Sequence, residues 1–282
     1  MSASTLRHAG FVLRGNPVTA LAAAGALALI LVAVFADWLA PHDPVASNVA
    51  NALRPPSAAH WAGTDQLGRD ILSRLIHAAR IDLAIAFAAV SLSFLVGAVV
   101  GAVCGYLGGM TDRVVGRVVD VLMAFPLFVL AMALVAALGN HVQNIVIATA
   151  FINLPFYIRF ARAEVNVRRN LGWVEAARAA GEPHLSLVLR FLLPNVLPAM
   201  AVQISLNLGW AILNAAGLSF IGLGITPPTP EWGIMVAEGA RFITAGHWWL
   251  VAFPGLALML SVLCFNLLGD GLRDILDPRM RT

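Results

Sequence analysis

Six stretches of this chain, at about 18–38, 82–106, 118–138, 142–160, 196–224 and 247–268, are apolar over roughly the length of about 20 residues that a helix needs to cross a hydrocarbon core. Inside hydrocarbon every backbone N–H and C=O must be paired, which leaves helices and closed barrels as spanning structures. Unbroken apolar runs of this length select helices. Only 12% of the residues are charged, against about 25% in a soluble domain, so a wetted surface cannot enclose the chain. The sequence predicts an all-α integral membrane protein with six transmembrane helices: a single domain over 18–268, between an N-terminal segment at 1–17 and a tail at 269–282. The first run follows Arg7 and Arg14 in the manner of a signal peptide, yet its apolar stretch exceeds the usual h-region of roughly 7 to 15 residues, and it reads as a span.

Charge assigns the sides. The 18 basic residues are all arginine, and the absence of lysine excludes a Walker A phosphate loop, whose lysine reaches the phosphates. One set of connecting segments holds 13 arginines (Arg7, Arg14, Arg113, Arg117, Arg159, Arg162, Arg168, Arg169, Arg178, Arg190, Arg273, Arg279 and Arg281), and the other holds Arg54, Arg69, Arg74, Arg80 and Arg241. By the positive-inside rule both termini are expected in the cytoplasm. The arginines flank apolar runs instead of massing on a polar face, so the net charge of +3 reads as topology and not as nucleic-acid binding.

Three segments outside the runs are too long for turns. Residues 39–80 open with Pro41, Pro44, Pro55 and Pro56 and then take helical spacing from Asp70 to Arg80, which reads as an extracytoplasmic arm leading into the second span. Residues 225–246, broken by Pro227, Pro228 and Pro230, read as an outer loop with Trp232 at the membrane interface. In 161–195, Leu171 to Ala180 favours helix, Gly181 stands at a left-handed C′ position, and Pro183 stops continuation. A second helix is expected from about His184 to Leu193, before Pro194. Ala176, Ala177, Ala179 and Ala180 leave a smooth flank. That flank suits close docking of another protein, or simply a solvated connector of high helix propensity.

Polar residues within the runs mark further candidates. Gln203, Asn207, Trp210 and Asn214 follow offsets that put three amides and an indole on one helical stripe. Such a stripe either lines a pathway or hydrogen-bonds between helices. Gly97, Gly101 and Gly105 repeat at four residues and expect a close helix neighbour. Asp120, with Arg117 and Arg113 one and two turns earlier, expects a local ion pair. Cys104 and Cys264 lie inside apolar runs, and His8, His42, His60, His77, His141, His184 and His247 are dispersed. No metal site is expected from such spacing, and no G-x-S-x-G elbow or other catalytic motif is present.

The combination of Glu175-Ala176-Ala177, Gly181 and Phe191-Leu192-Leu193-Pro194 resembles the EAA coupling loop of ATP-binding cassette importer permeases. Gly63 to Asp70 with Ser73-Arg74, Gly105 to Gly109 with Asp112, Asp120 with Phe125-Pro126, Gly217 to Gly224 with Pro227-Pro228 and Trp232-Gly233, and Asn266 to Asp274 with Asp277-Pro278-Arg279 narrow the resemblance. Together they resemble the shorter, C-type permease subunit of dipeptide and oligopeptide importers. Asp82 stands where that family usually has Ser.

The resemblance implies a non-catalytic subunit of a bacterial inner membrane. It pairs with a B-type permease, is driven by two ATPase domains that bind ATP and Mg, and is supplied with peptide by an extracytoplasmic solute-binding protein. This chain then holds no cofactor and no metal of its own. Glu175, Ala176, Ala177, Ala180 and Gly181 would dock the ATPase, with Glu175 paired to a basic group there. Related permeases serve nickel chelates or glutathione as alternative solutes. A self-sufficient secondary transporter would instead need buried mid-membrane carboxylates and paired broken helices.

Overall fold

A computed structural model describes residues 16–276. Arg7, Arg14 and the tail motif from Asp277 onward lie outside the described residues. The described chain is helical without a strand, and Thr64 and Asp70 form an isolated bridge.

Helix α1, Pro17–Val34, starts because Asn16 Oδ1 accepts from Val18 N at 3.1 Å and Thr19 N at 3.2 Å, with Pro17 at the first position. Helix α2, Ile71–Leu107, is capped by Asp70, whose side chain accepts from Ser73 N at 2.8 Å. Its 37 residues reach about 55 Å at 1.5 Å per residue, so the arm helix and the second span are one rod that overshoots the hydrocarbon core. Gly108, at φ +64°, ends it.

The third run departs from expectation. Instead of one span at 118–138 there are two helices, α3 (Gly109–Ala124) and α4 (Leu127–Leu138), bent by 92°. Pro126 disfavours helical backbone in the residue before it, and Phe125 is extended at φ −84°, ψ 145°. Helix α5, Val142–Arg168, begins where the fourth run begins and continues past 160. A short helix α6, Gly172–Ala179, follows, and the chain turns at Gly181 with φ +85°.

From His184 the chain again differs from the sequence reading, because Pro194 stops nothing. Helix α7 runs unbroken over His184–Phe220, four residues short of the expected end at 224. Leu187–Leu192 winds as π-helix, with Leu193 N donating to Val188 O five residues back. The wider turn makes room for the Pro194 ring, which would collide with the preceding turn of an α-helix. Asn195 Nδ2 donates to Phe191 O at 2.6 Å beside it.

The segment read as an outer loop contains helix α8, Trp232–Ala240, capped by Glu231 through Gly233 N at 2.9 Å and Ile234 N at 2.7 Å. Trp232 is buried and not an interfacial anchor, its indole donating to Leu75 O. Helix α9, Trp249–Leu276, carries the last span into residues 269–276, which were expected as tail. Among the described residues five helices are long and apolar enough to cross a membrane, or six spans with α3 and α4 counted as one broken span.

The core lies where α2, α5, α7 and α9 meet, with α4 closing a second apolar cluster against α5 and α7. A Cβ on Gly97, Gly101 or Gly105 would come within 2.5 Å of Tyr157 Cβ, 2.4 Å of Ile158 O and 2.6 Å of Arg162 O. The order of these contacts shows α2 and α5 running parallel. Their ends at Leu107 and Arg168 therefore share one face of the molecule with α6. The opposite face carries the arm, α8 and the start of α9, joined by a buried ion cluster. Arg69 Nε meets Asp65 Oδ2 at 2.5 Å, Arg69 Nη2 meets Glu238 at 3.3 Å, and Arg74 bridges the same two carboxylates at 3.6 Å.

Candidate functional site

Midway along α5 and α7 lies a cavity of about 780 Å³. Its α7 wall is the amide stripe: Gln203, Asn207, Trp210 and Asn214 all line it. The facing walls are residues that sequence spacing did not bring together: Pro126 from the break before α4 and Phe128 from its first turn, Asn153 and Phe156 from α5, and Asn266 from α9. The available signal was an amide within an apolar run, since Asn153 and Asn266 both interrupt such runs.

Local backbone chemistry orients these amides. Asn153 Nδ2 donates to Thr149 O and Asn214 Nδ2 to Trp210 O, each at 2.9 Å and one turn back on its own helix. Among the described residues neither side-chain carbonyl oxygen accepts a hydrogen bond. Asn207 Nδ2 is buried and has no partner among the described residues. Pro155 lies within α5 and deprives the carbonyl one turn earlier of its helical donor. Gly209 admits the α9 amide, because a Cβ there would lie 2.9 Å from Asn266 Oδ1. None of the lining residues is ionisable. The cavity thus offers hydrogen-bond donors and acceptors in an apolar wall, without fixed charge.

The second region is the face bearing α6. Glu175, Ala176, Ala180 and Gly181 are exposed there, while Ala177 turns inward with Val174 into the core. Nothing lies within 4 Å of a Cβ built on Gly181, so its glycine answers the positive φ and not crowding. The loop is braced to the end of α2: Tyr106 Oη and His184 Nδ1 are 2.9 Å apart, and the Arg178 guanidinium sits 5.7 Å from the Tyr106 ring centroid. These contacts tie α6 to the end of α2 and the start of α7.

Asp120 pairs differently from expectation. Its partner is Arg159 of α5, with Nη2 to Oδ1 at 2.6 Å, and Arg162 likewise holds Asp112 through Nη2 at 2.6 Å. Arg113 and Arg117 lie on Asp120's own helix, but the ion pairs run across to α5 and fasten α3 onto it. On the opposite face Asp82 is fully buried, and its Oδ2 accepts from Trp232 N at 3.1 Å. Burial pushes the neighbouring Glu231 carboxyl above the ordinary carboxylate range, against the Gly233 and Ile234 N–H groups that donate to it. The fold also places His42 and His60, far apart in sequence, against the same oxygen of Asp70.

Comparison with known proteins follows the same order along the chain. Residues 97–282 match the family model described as binding-protein-dependent transport system inner membrane component. Residues 4–56 match the N-terminal TM domain of oligopeptide transport permease C. The chain is 42% identical over 269 residues to the probable D,D-dipeptide transport system permease protein DdpC of Escherichia coli, covering 95% of this chain and 90% of that one. It is 44% identical over 261 residues to the di/tripeptide transport system permease protein DppC of Pseudomonas aeruginosa, covering 90% and 86%. It is 45% identical over 257 residues to the glutathione transport system permease protein GsiD of Escherichia coli O157:H7, covering 90% and 84%.

Proposed function

Because the chain belongs to the family of binding-protein-dependent transport system inner membrane components, we propose that it is the C-type permease subunit of an ATP-binding cassette importer, forming half of a translocation pathway for di- or oligopeptides. The observation that carries this reading is the uncharged, amide-lined cavity midway along α5 and α7. A peptide backbone alternates donors and acceptors, and side-chain amides meet either in any register. A wall without fixed charge accommodates peptides whose side chains differ in charge.

The chain is read as non-catalytic, with ATP and Mg bound by two partner ATPase domains and no cofactor held here. Docking falls to the exposed α6 surface of Glu175, Ala176, Ala180 and Gly181, while Ala177 seats that helix on the core. Both termini and α6 face the cytoplasm in this reading, in keeping with the arginine distribution. The arm and α8 then face the solute-binding protein outside, and a B-type permease completes the pathway within the lipid. Nucleic acid has no part in it.

Reconstitution into proteoliposomes with the second permease, the ATPases and the binding protein tests this. ATP-dependent uptake of labelled dipeptide is expected. Each interhelical or solute hydrogen bond in lipid is worth about 0.6 to 2 kcal/mol, so Gln203→Leu, Asn207→Leu and Asn214→Leu combined should lower uptake about tenfold or more without dislodging the ATPases. Glu175→Ala should instead weaken ATPase retention and coupled hydrolysis. Uptake driven by an ion gradient without ATPases would overturn the reading, and selective uptake of glutathione would keep the pathway while changing the solute.

A further inference from the structure

The arm carries a side-chain cluster that plays no part in the pathway or in ATPase docking. Asp70, buried at the N-cap of α2, directs Oδ1 toward two imidazoles: His60 Nδ1 at 2.9 Å and His42 Nδ1 at 3.7 Å. The two rings lie 4.9 Å apart between centroids, tilted by 37°, and the three donor atoms all fall within 4.8 Å of one another. A hydrogen bond accounts for His60 but not for His42, whose nitrogen converges on the same oxygen from beyond hydrogen-bond reach.

We propose that His42, His60 and Asp70 form a binding site for a divalent transition cation of the zinc class. Two imidazole nitrogens and one carboxylate oxygen are a donor set that zinc takes at about 2.0 to 2.2 Å, which in a tetrahedron places the donors about 3.3 Å apart. The separations of 2.9 and 3.7 Å from Asp70 Oδ1 bracket that value, and the imidazole nitrogens lie within 4.8 Å of each other. The supporting contacts are already in place. Asp70 Oδ2 accepts from Ser73 N at 2.8 Å and Ser73 Oγ at 2.7 Å, fixing the carboxylate with Oδ1 toward the imidazoles. Ser73 Oγ in turn accepts from His42 N at 3.0 Å, and Ser57 Oγ from His60 N at 3.2 Å.

The His42 side chain is 44% exposed, against 14% for His60 and 1% for Asp70. The fourth position therefore opens to solvent and takes water. On binding, the proton shared between His60 Nδ1 and Asp70 leaves and the cation takes its place. The ion would tie three separate segments together: the chain just past the first span, the loop before Trp61, and the first residue before α2.

The test uses the full-length chain, purified through a histidine-free tag, stripped with chelator and dialysed against Zn²⁺ alone. Wild type is expected to bind one Zn²⁺ more per chain than the His42→Gln, His60→Gln double variant. The single His42→Gln variant, altered at an exposed side chain, is expected to bind at least tenfold more weakly. Zinc should also raise the unfolding temperature of wild type and not of the double variant. Co²⁺ in its place should give the visible absorption of a four-coordinate N/O site. Equal zinc content and equal thermal response in wild type and double variant, with both unfolding alike before zinc is added, would overturn the proposal and leave a hydrogen-bonded His–Asp staple.

Discussion

At Gly101 two spans come close enough to leave no room for a side chain. A Cβ there would stand 2.4 Å from Ile158 O and 2.9 Å from Ala161 Cβ, and a backbone carbonyl in the middle of α5 has nowhere to retreat. Gly101→Ala is therefore expected to cost about 1 to 3 kcal/mol, the ordinary range for overpacking. It should lower the unfolding temperature of the purified chain in detergent. Gly116→Ala supplies the contrast: nothing lies within 4 Å of its Cβ position in α3, so it should be neutral or stabilising by about 0.5 to 1 kcal/mol through helix propensity. If both variants unfold alike, the parallel α2–α5 seam is misplaced. The four-residue glycine repeat was legible in the sequence as a close contact, because it follows from helix geometry alone. Its partner was not, since pairing with Tyr157, Ile158 and Arg162 depends on which spans run side by side. The same limit explains Asp120, whose arginine neighbours along the chain were visible while Arg159 was not.

At the scale of elements, hydropathy revealed most of the apolar helices but not how prolines act within them. Pro126 and Pro194 look alike in sequence. The first follows a residue that has left helical geometry and produces a 92° bend. The second follows a π-helical stretch that takes up one extra residue, and the helix passes through. Which outcome occurs depends on the preceding turn, and no residue type announces it. Trp232 was misjudged for a related reason: an aromatic beside prolines suits an interface, yet the Glu231 cap turns the segment into a helix that buries it. The π stretch carries its own prediction. It lies between α6 and the cavity, so deleting Leu189, an exposed residue within it, should restore α-helical winding. The parts on either side keep nearly their orientation, because a π turn absorbs its extra residue within one turn, but the room for the Pro194 ring is lost and the helix bends between α6 and the amide stripe. Assembled complex is expected to retain its ATPases while hydrolysis no longer responds to solute. Unchanged coupling in the deletion would mean that the π stretch only accommodates Pro194.

For the whole molecule, the amide stripe was readable from spacing, but the cavity it lines is open to one side. Trp210, on the stripe itself, is 60% exposed. Exposed apolar side chains are ordinary on a surface facing lipid. Amides are not, because a polar group in hydrocarbon costs free energy unless it meets protein or a water-filled space. Gln203, Asn207 and Asn214 beside Trp210 therefore mark the flank on which the proposed second permease would close the cavity. Leu95, 62% exposed on α2 and absent from the cavity wall, carries no polar group to satisfy and is expected to face lipid. A photo-crosslinking residue in place of Trp210 should then capture the second permease when the complex is assembled in membranes, and the same residue in place of Leu95 should capture no protein. Capture of another copy of this chain at Trp210 would make the pathway a homodimer. Capture at Leu95 with none at Trp210 would place the partner on the opposite flank and detach the amide stripe from the route of the solute.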